Sequence, residues 1–126
     1  MALNMNVTCN GWLVCRYVCN RYELGELQAS ATANLMDAAS WTKLEHPVFF
    51  EAPRKGVFGP GHNGFFRSPD GTEDWIIYHA NPGSGEGCGE MRSPRVQRFT
   101  WNADGSPKFG SPVAAGVELR KPAGTK

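Results

Sequence analysis

The sequence predicts an all-β chain whose strand spacing suits a sandwich, a barrel or propeller blades, and whose repeated turn signals favour about two blades of a β-propeller. Three observations carry this. Fifteen glycines and nine prolines stand in 126 residues, a density suited to tight turns rather than helices. Runs rich in aromatic and β-branched residues recur about every ten positions. Two of those runs are bounded by similar turn signals, Ser68-Pro69-Asp70-Gly71 and Asn102-Ala103-Asp104-Gly105. A four-stranded blade takes ~40–50 residues, so the chain has room for about two.

The elements follow in order. Residues 1–10 read as loose, and 11–19 as one strand. Tyr22 to Ala29 reads as a second strand, with Gly25 marking a bulge or close packing. Asn34 to Ser40 reads as one helical turn or an irregular loop. A short strand runs from Trp41 to Leu44, and Pro47-Val48-Phe49 starts an extended piece. Gly56 to Arg67 holds four glycines, a proline, a histidine and three aromatics in twelve positions. Glycine admits positive φ and close backbone approach, and Pro60 fixes φ, so this stretch reads as a rigid loop entering a strand at Phe65-Phe66. His62 and Asn63 lie where that loop meets the strand, a place where polar groups are often held for binding or catalysis.

Asp74 to Ala80 (Asp-Trp-Ile-Ile-Tyr-His-Ala) is the strongest strand signal, nearly continuous as in a strand buried on both faces. Asn81 to Glu90 is a Gly-rich loop. Arg95 to Trp101 alternates polar and apolar. Pro107 to Gly110 leads to a final short strand, and Val117-Glu118-Leu119 is a candidate closing strand.

Composition narrows the function. Net charge is +1, which gives no support for a nucleic-acid or membrane-surface role. No apolar run approaches the ~20 residues of a membrane helix. No signal peptide is read at the N-terminus. Cys9, Cys15, Cys19 and Cys88 lack paired CxxC spacing, which argues against zinc; disulfides stay open. Asn6-Val7-Thr8 is a glycosylation sequon that matters only in a secreted chain. The loop from Asn81 to Gly89 lacks the Gly-Lys-Ser/Thr ending of a phosphate loop.

Several motifs in series resemble a known family. They are Asp37-Ala38-Ala39-Ser40-Trp41-Thr42-Lys43, then Pro47-Val48-Phe49, then Gly59-Pro60-Gly61-His62-Asn63. Ser68 to Ala80, Arg92-Ser93-Pro94-Arg95-Val96-Gln97 and Phe99 to Gly110 complete the series. Together they resemble the C-terminal part of glycoside hydrolase family 43, on the arabinofuranosidase and arabinanase side, over roughly residues 22–122. Residues 1–21 do not match, and read as a loose segment or edge strand. Residues 22–126 read as the C-terminal blades.

The resemblance implies a five-bladed propeller that hydrolyses arabinose- or xylose-containing polysaccharides with inversion. It implies an aspartate base, a second aspartate that tunes it and a glutamate acid, all from earlier blades. The matching region begins after these three, so the isolated chain is expected to be inactive. Inverting hydrolysis needs two carboxyl groups ~6.5–9.5 Å apart. Glu86 and Glu90 are the carboxylates nearest the other candidate residues and are the acid/base candidates here. Asp70 and Asp104 belong to turns, and Glu73-Asp74 reads as solvated.

By the same resemblance, His62 sits near the propeller axis under the sugar, contacting a hydrated ion, usually calcium, through water. Imidazole is a poor direct calcium ligand. Arg92 is the substrate-binding arginine, with a donor fork suited to sugar hydroxyls, and Arg95 braces the strand. Asn63 and Phe58 complete the substrate-binding set. Phe58, Phe66, Trp75 and Trp101 can each stack on sugar, with core packing as the commoner use. Secretion is implied by the family. The other function class is a non-catalytic β module that binds carbohydrate or a protein partner. Two blades leave open sheet edges, which invites self-association.

Overall fold

The computed structural model describes residues 22–126. The expected strand at 11–19 lies outside the described residues. The described residues form six strands: β1 (Leu27–Gln28), β2 (Thr42–Lys43), β3 (Phe58–Arg67), β4 (Asp74–Asn81), β5 (Ser93–Trp101) and β6 (Pro107–Lys108). The described residues contain no α-helix, only two 3-10 turns, Ala38–Ser40 and Pro53–Lys55. The all-β expectation holds. β3 to β6 form an antiparallel four-stranded sheet in sequential order, the up-and-down layout of one propeller blade, while β1 and β2 form a separate two-stranded ladder.

The sequence explains each turn. Between β3 and β4, the Asp70 carboxylate accepts from the Ser68 hydroxyl at 2.7 Å, the Thr72 N–H at 3.0 Å and the Thr72 hydroxyl at 2.8 Å. Gly71 follows at φ 73°, the left-handed region. Asp104 repeats the device with the Ser106 N–H and hydroxyl before β6. Both aspartates are turn residues, as expected.

β4 is the middle strand, paired with β3 on one side and β5 on the other. Its alternation sends Ile76, Tyr78 and Ala80 into the core. Leu24, Phe49, Val57, Phe99 and Phe109 complete it. Phe49 meets Tyr78 edge-on at 4.9 Å and Phe109 at 5.8 Å. A fully buried side chain of this size contributes about 1.5–3 kcal/mol. Leu24 and Phe49 join the outer segment to the blade by paired backbone bonds: Leu24 N–H to the Phe49 carbonyl, and Val48 N–H to that of Leu24, both 2.8 Å. The opposite face of β4 is less covered. Ile77 and Val96 are register partners there, 42% and 39% exposed.

Four expectations need correction. The stretch from Phe58 to Gly64 is strand, not loop, because two register shifts let β3 stay paired with β4 while absorbing its glycines and Pro60. Between Tyr22 and Ala29 only Leu27–Gln28 is strand, with one isolated bridge at Leu24. Val117-Glu118-Leu119 forms no strand. Glu73 is 4% exposed rather than solvated, because partners from β5 and the C-terminal segment converge on it. Among the aromatics, Trp75 is buried. Trp101 is instead 49% exposed, its indole donating to the Asp74 carboxylate at 2.8 Å.

Candidate functional site

The candidate residues gather where β3 is irregular. Register shifts separate Phe58 from Gly61 and Gly61 from Gly64, so His62 and Asn63 occupy a bulge opposite β4. Bulges re-aim side chains and are frequent beside functional sites. His62 has φ 51°, the one positive value outside glycine among the described residues. A side chain in that region is strained, and such strain is held by the surrounding structure. The ring is exposed and meets the His79 ring edge-on at 5.6 Å.

Gly61 is required for close approach. A Cβ there would lie 3.0 Å from the Tyr22 side chain. Tyr22 in turn lies beneath the Arg92 guanidinium, 4.9 Å from ring centroid to Cζ, a cation–π distance. Arg92 Nη2 donates to the Gly59 carbonyl at 2.8 Å and the His79 carbonyl at 2.9 Å. Arg92 thus clamps the bulge of β3 to β4 from the start of β5. Burial lowers its pKa, opposed by Tyr22, yet a guanidinium stays charged. Phe58 is half-buried and pairs in register with Asn81.

The polar atoms around this junction are unevenly served. The Asn63 Nδ2 and Oδ1 are both buried without a hydrogen-bond partner among the described residues, as are Asn81 Oδ1 and Arg95 Nε. Asn81 Nδ2 donates to the Gly87 carbonyl at 2.8 Å, and Arg95 Nη1 reaches the Gly56 carbonyl at 3.4 Å. Buried amides are normally paired, and an unpaired one costs about 1–3 kcal/mol. A buried amide with every bond unmade is poised for a ligand's hydroxyl.

Glu86 and Glu90 behave differently. Glu86 Oε2 accepts from the Gly83 N–H at 2.9 Å, so this carboxylate caps its own loop. Glu90 is exposed. No group of three or more His, Cys, Asp or Glu among the described residues could hold a metal ion. This donor set does not fit direct calcium ligation. Cys88 is disulfide-bonded.

Sequence reasoning named His62, Asn63 and Arg92 but missed Tyr22, His79 and Asn81. Tyr22 is recruited by a partner far along the chain. His79 enters by register against Gly61. Neither carries a local signal.

Known proteins place this geometry in context. The chain is 49% identical over 100 residues to an extracellular exo-α-(1→5)-L-arabinofuranosidase of Streptomyces avermitilis, covering 76% of this chain and 21% of that protein. It is 40% identical over 108 residues to α-L-arabinofuranosidase 43 of Humicola insolens, covering 80% and 22%. The crystal structure of an α-L-arabinofuranosidase from Lactobacillus brevis superposes with a TM-score of 0.69 at 38% identity, over 76% of this chain and 31% of that one. The chain spans about a fifth of the length of the curated relatives it matches. Strands β3 to β5 and the bulged His62-Asn63 segment fall within the region, residues 11–107, that matches the model of glycosyl hydrolases family 43, and the chain belongs to that family.

Proposed function

We propose that this chain supplies the substrate-binding side of an inverting arabinofuranosidase-type glycoside hydrolase acting on arabinose- or xylose-containing polysaccharides. Asn63 carries the reading most directly. Its amide is buried with both polar atoms unpaired among the described residues, two positions along β3 from Gly61, which packs against Tyr22 of the Arg92–Tyr22 clamp. In this reading Asn63 and Arg92 bind sugar hydroxyls, Phe58 borders the ring, and His62 orders water beside it, including water bound to a calcium ion held by other ligands. The acid and base carboxylates come from polypeptide outside this chain, since Glu86 is engaged by its own loop and Glu90 faces solvent. Secretion belongs to the same proposal, supported by a relative described as extracellular.

The test separates binding from chemistry. The purified 126-residue chain is offered a chromogenic arabinofuranoside and linear arabinan. Expected are no turnover and weak sugar binding by calorimetry. Asn63→Leu should abolish binding while leaving the melting temperature unchanged or higher, because it removes an unpaired buried amide. Wild-type binding retained in Asn63→Leu sinks the assignment. Turnover by the isolated chain would move the acid and base to carboxylates within it.

A second reading is a non-catalytic β module that binds carbohydrate or a protein partner, favoured by the engagement of Glu86 in its own loop and the exposure of Glu90. Binding unaffected by both Asn63→Leu and Arg92→Ala would favour it.

A further inference from the structure

A groove away from the bulge has no assigned role. Its described walls are Tyr22, Glu23, His46, Pro47, Phe50 and Glu51, and it encloses about 650 Å³. Phe49 and Phe50 are neighbours with opposite fates: Phe49 is in the core, and Phe50 is 54% exposed at the groove. A lone exposed phenylalanine is ordinary. Here the ring borders two grooves, because Phe50 and Glu51 also line a second one that runs past Asn102 and Lys108 to Pro112. The two grooves share the Phe50 ring and Glu51 as a common wall.

The titratable groups at the Tyr22 end are unengaged among the described residues. The side chains of Glu23, His46 and Glu51 make no hydrogen bond or ion pair among the described residues. Glu23 and Glu51 accept hydrogen bonds and outnumber Lys108 of the second groove, so phosphorylated or uronic-acid chains are disfavoured. A neutral polyol is suited: its C–H face lies on an aromatic ring, and its hydroxyls donate to carboxylates. The first groove also touches the candidate site. Tyr22 lines the groove and lies under Arg92.

We propose that the Phe50 groove is a second carbohydrate-binding surface, taking a neutral oligosaccharide chain that continues past Tyr22 from the sugar held at Asn63 and Arg92. This rests on the sugar-binding reading above and extends it from one residue of the polysaccharide to several. Phe50 supplies the stacking face, and Glu23 and Glu51 accept hydroxyl hydrogen bonds.

The experiment is an NMR amide-shift titration of the full 126-residue chain with methyl α-L-arabinofuranoside and with linear arabinopentaose. Phe50→Ala and Arg92→Ala are titrated alongside. Phe50 lies outside the core, so its replacement leaves the fold intact, and Phe50→Tyr keeps the ring. The pentasaccharide should shift amides near both Phe50 and Asn63. Phe50→Ala should weaken it roughly threefold to tenfold without changing the monosaccharide, the scale of one aromatic contact. Phe50→Tyr should restore it. Pentasaccharide affinity unchanged in Phe50→Ala, with shifts confined to the Asn63 region, overturns the groove and leaves the sugar site standing. Shifts at Phe50 with none at Asn63 or Arg92 uphold the groove and overturn the sugar site. No shift with either sugar overturns both.

Discussion

Glu73 and Arg120 form an ion pair that ties the C-terminal segment to the start of β4. The same carboxylate accepts from the Ala123 N–H at 3.0 Å and the Trp75 indole at 3.2 Å, and meets Arg98 at 3.3 Å. Gly124 follows against Asp70, where a Cβ would lie 2.8 Å from the Asp70 nitrogen. The last residues of the chain are therefore held against the β3–β4 turn. Glu73→Ala should lower the melting temperature by several degrees and expose the segment from Arg120 onward to proteolysis. An unchanged digestion pattern would contradict this anchoring role.

Acid should act through the same group. The Ala123 N–H first, then the Trp75 indole, Arg120 and Arg98, hold the Glu73 pKa below its ordinary 4.5, against the effect of burial. Hydroxyl and N–H donors lower Asp70 and Asp104 likewise. A depressed folded-state pKa means stability present above the unfolded value and lost as pH falls through the folded one. Thermal melts should be flat in this respect near neutrality and drop below about pH 4.5. Glu73→Gln should be less stable at neutrality and show a shallower acid slope. An identical acid slope in Glu73→Gln would remove Glu73 from the explanation.

Gln97 does comparable work inside the blade. Its amide donates to the Phe109 carbonyl at 3.0 Å and the Ser111 carbonyl at 3.4 Å, while its oxygen accepts from the Val113 N–H at 2.9 Å and the Tyr78 hydroxyl at 3.3 Å. Gln97→Leu strands these partners and should cost about 2–3 kcal/mol in urea unfolding.

Phe49 is fully buried between Tyr78 and Phe109. Phe49→Ala should cost about 3–5 kcal/mol, a large share of a typical domain's stability, and populate unfolded chain at 37 °C. A loss under 1 kcal/mol by chemical denaturation would mean that the outer segment and the blade do not pack as described.

The uncovered face should show itself in solution. Ile77 and Val96 are paired and partly exposed, and β3 is hydrogen-bonded to β4 alone in its sheet among the described residues. Sedimentation should reveal concentration-dependent self-association that weakens in Ile77→Lys, a charge placed on the apolar face. A monomer at all concentrations would count against it.

Much of the blade was legible in the sequence. Asp74 to Ala80 and Arg95 to Trp101 announce themselves by β-branched and aromatic residues in short periods, and both Asp-Gly turns carry their own mechanism. The stretch from Phe58 to Gly64 was misread because glycine and proline signal turns locally, whereas pairing with β4 makes a bulged strand of them. Glu73 was misread because Arg120 and Ala123, which bury it, stand far downstream. His62, Asn63 and Arg92 were recognisable by motif. Tyr22 and His79 were not, since cross-strand register and a distant cation bring them in.

The left-handed backbone at His62 has a consequence for selection. Glycine would take φ 51° without a steric penalty, whereas histidine held there costs on the order of 1 kcal/mol or more. A library of variants sorted only for thermal tolerance should enrich glycine or asparagine at position 62. The same library sorted for sugar capture should return histidine, and the divergence of the two pools would mark position 62 as one where durability and recognition pull apart.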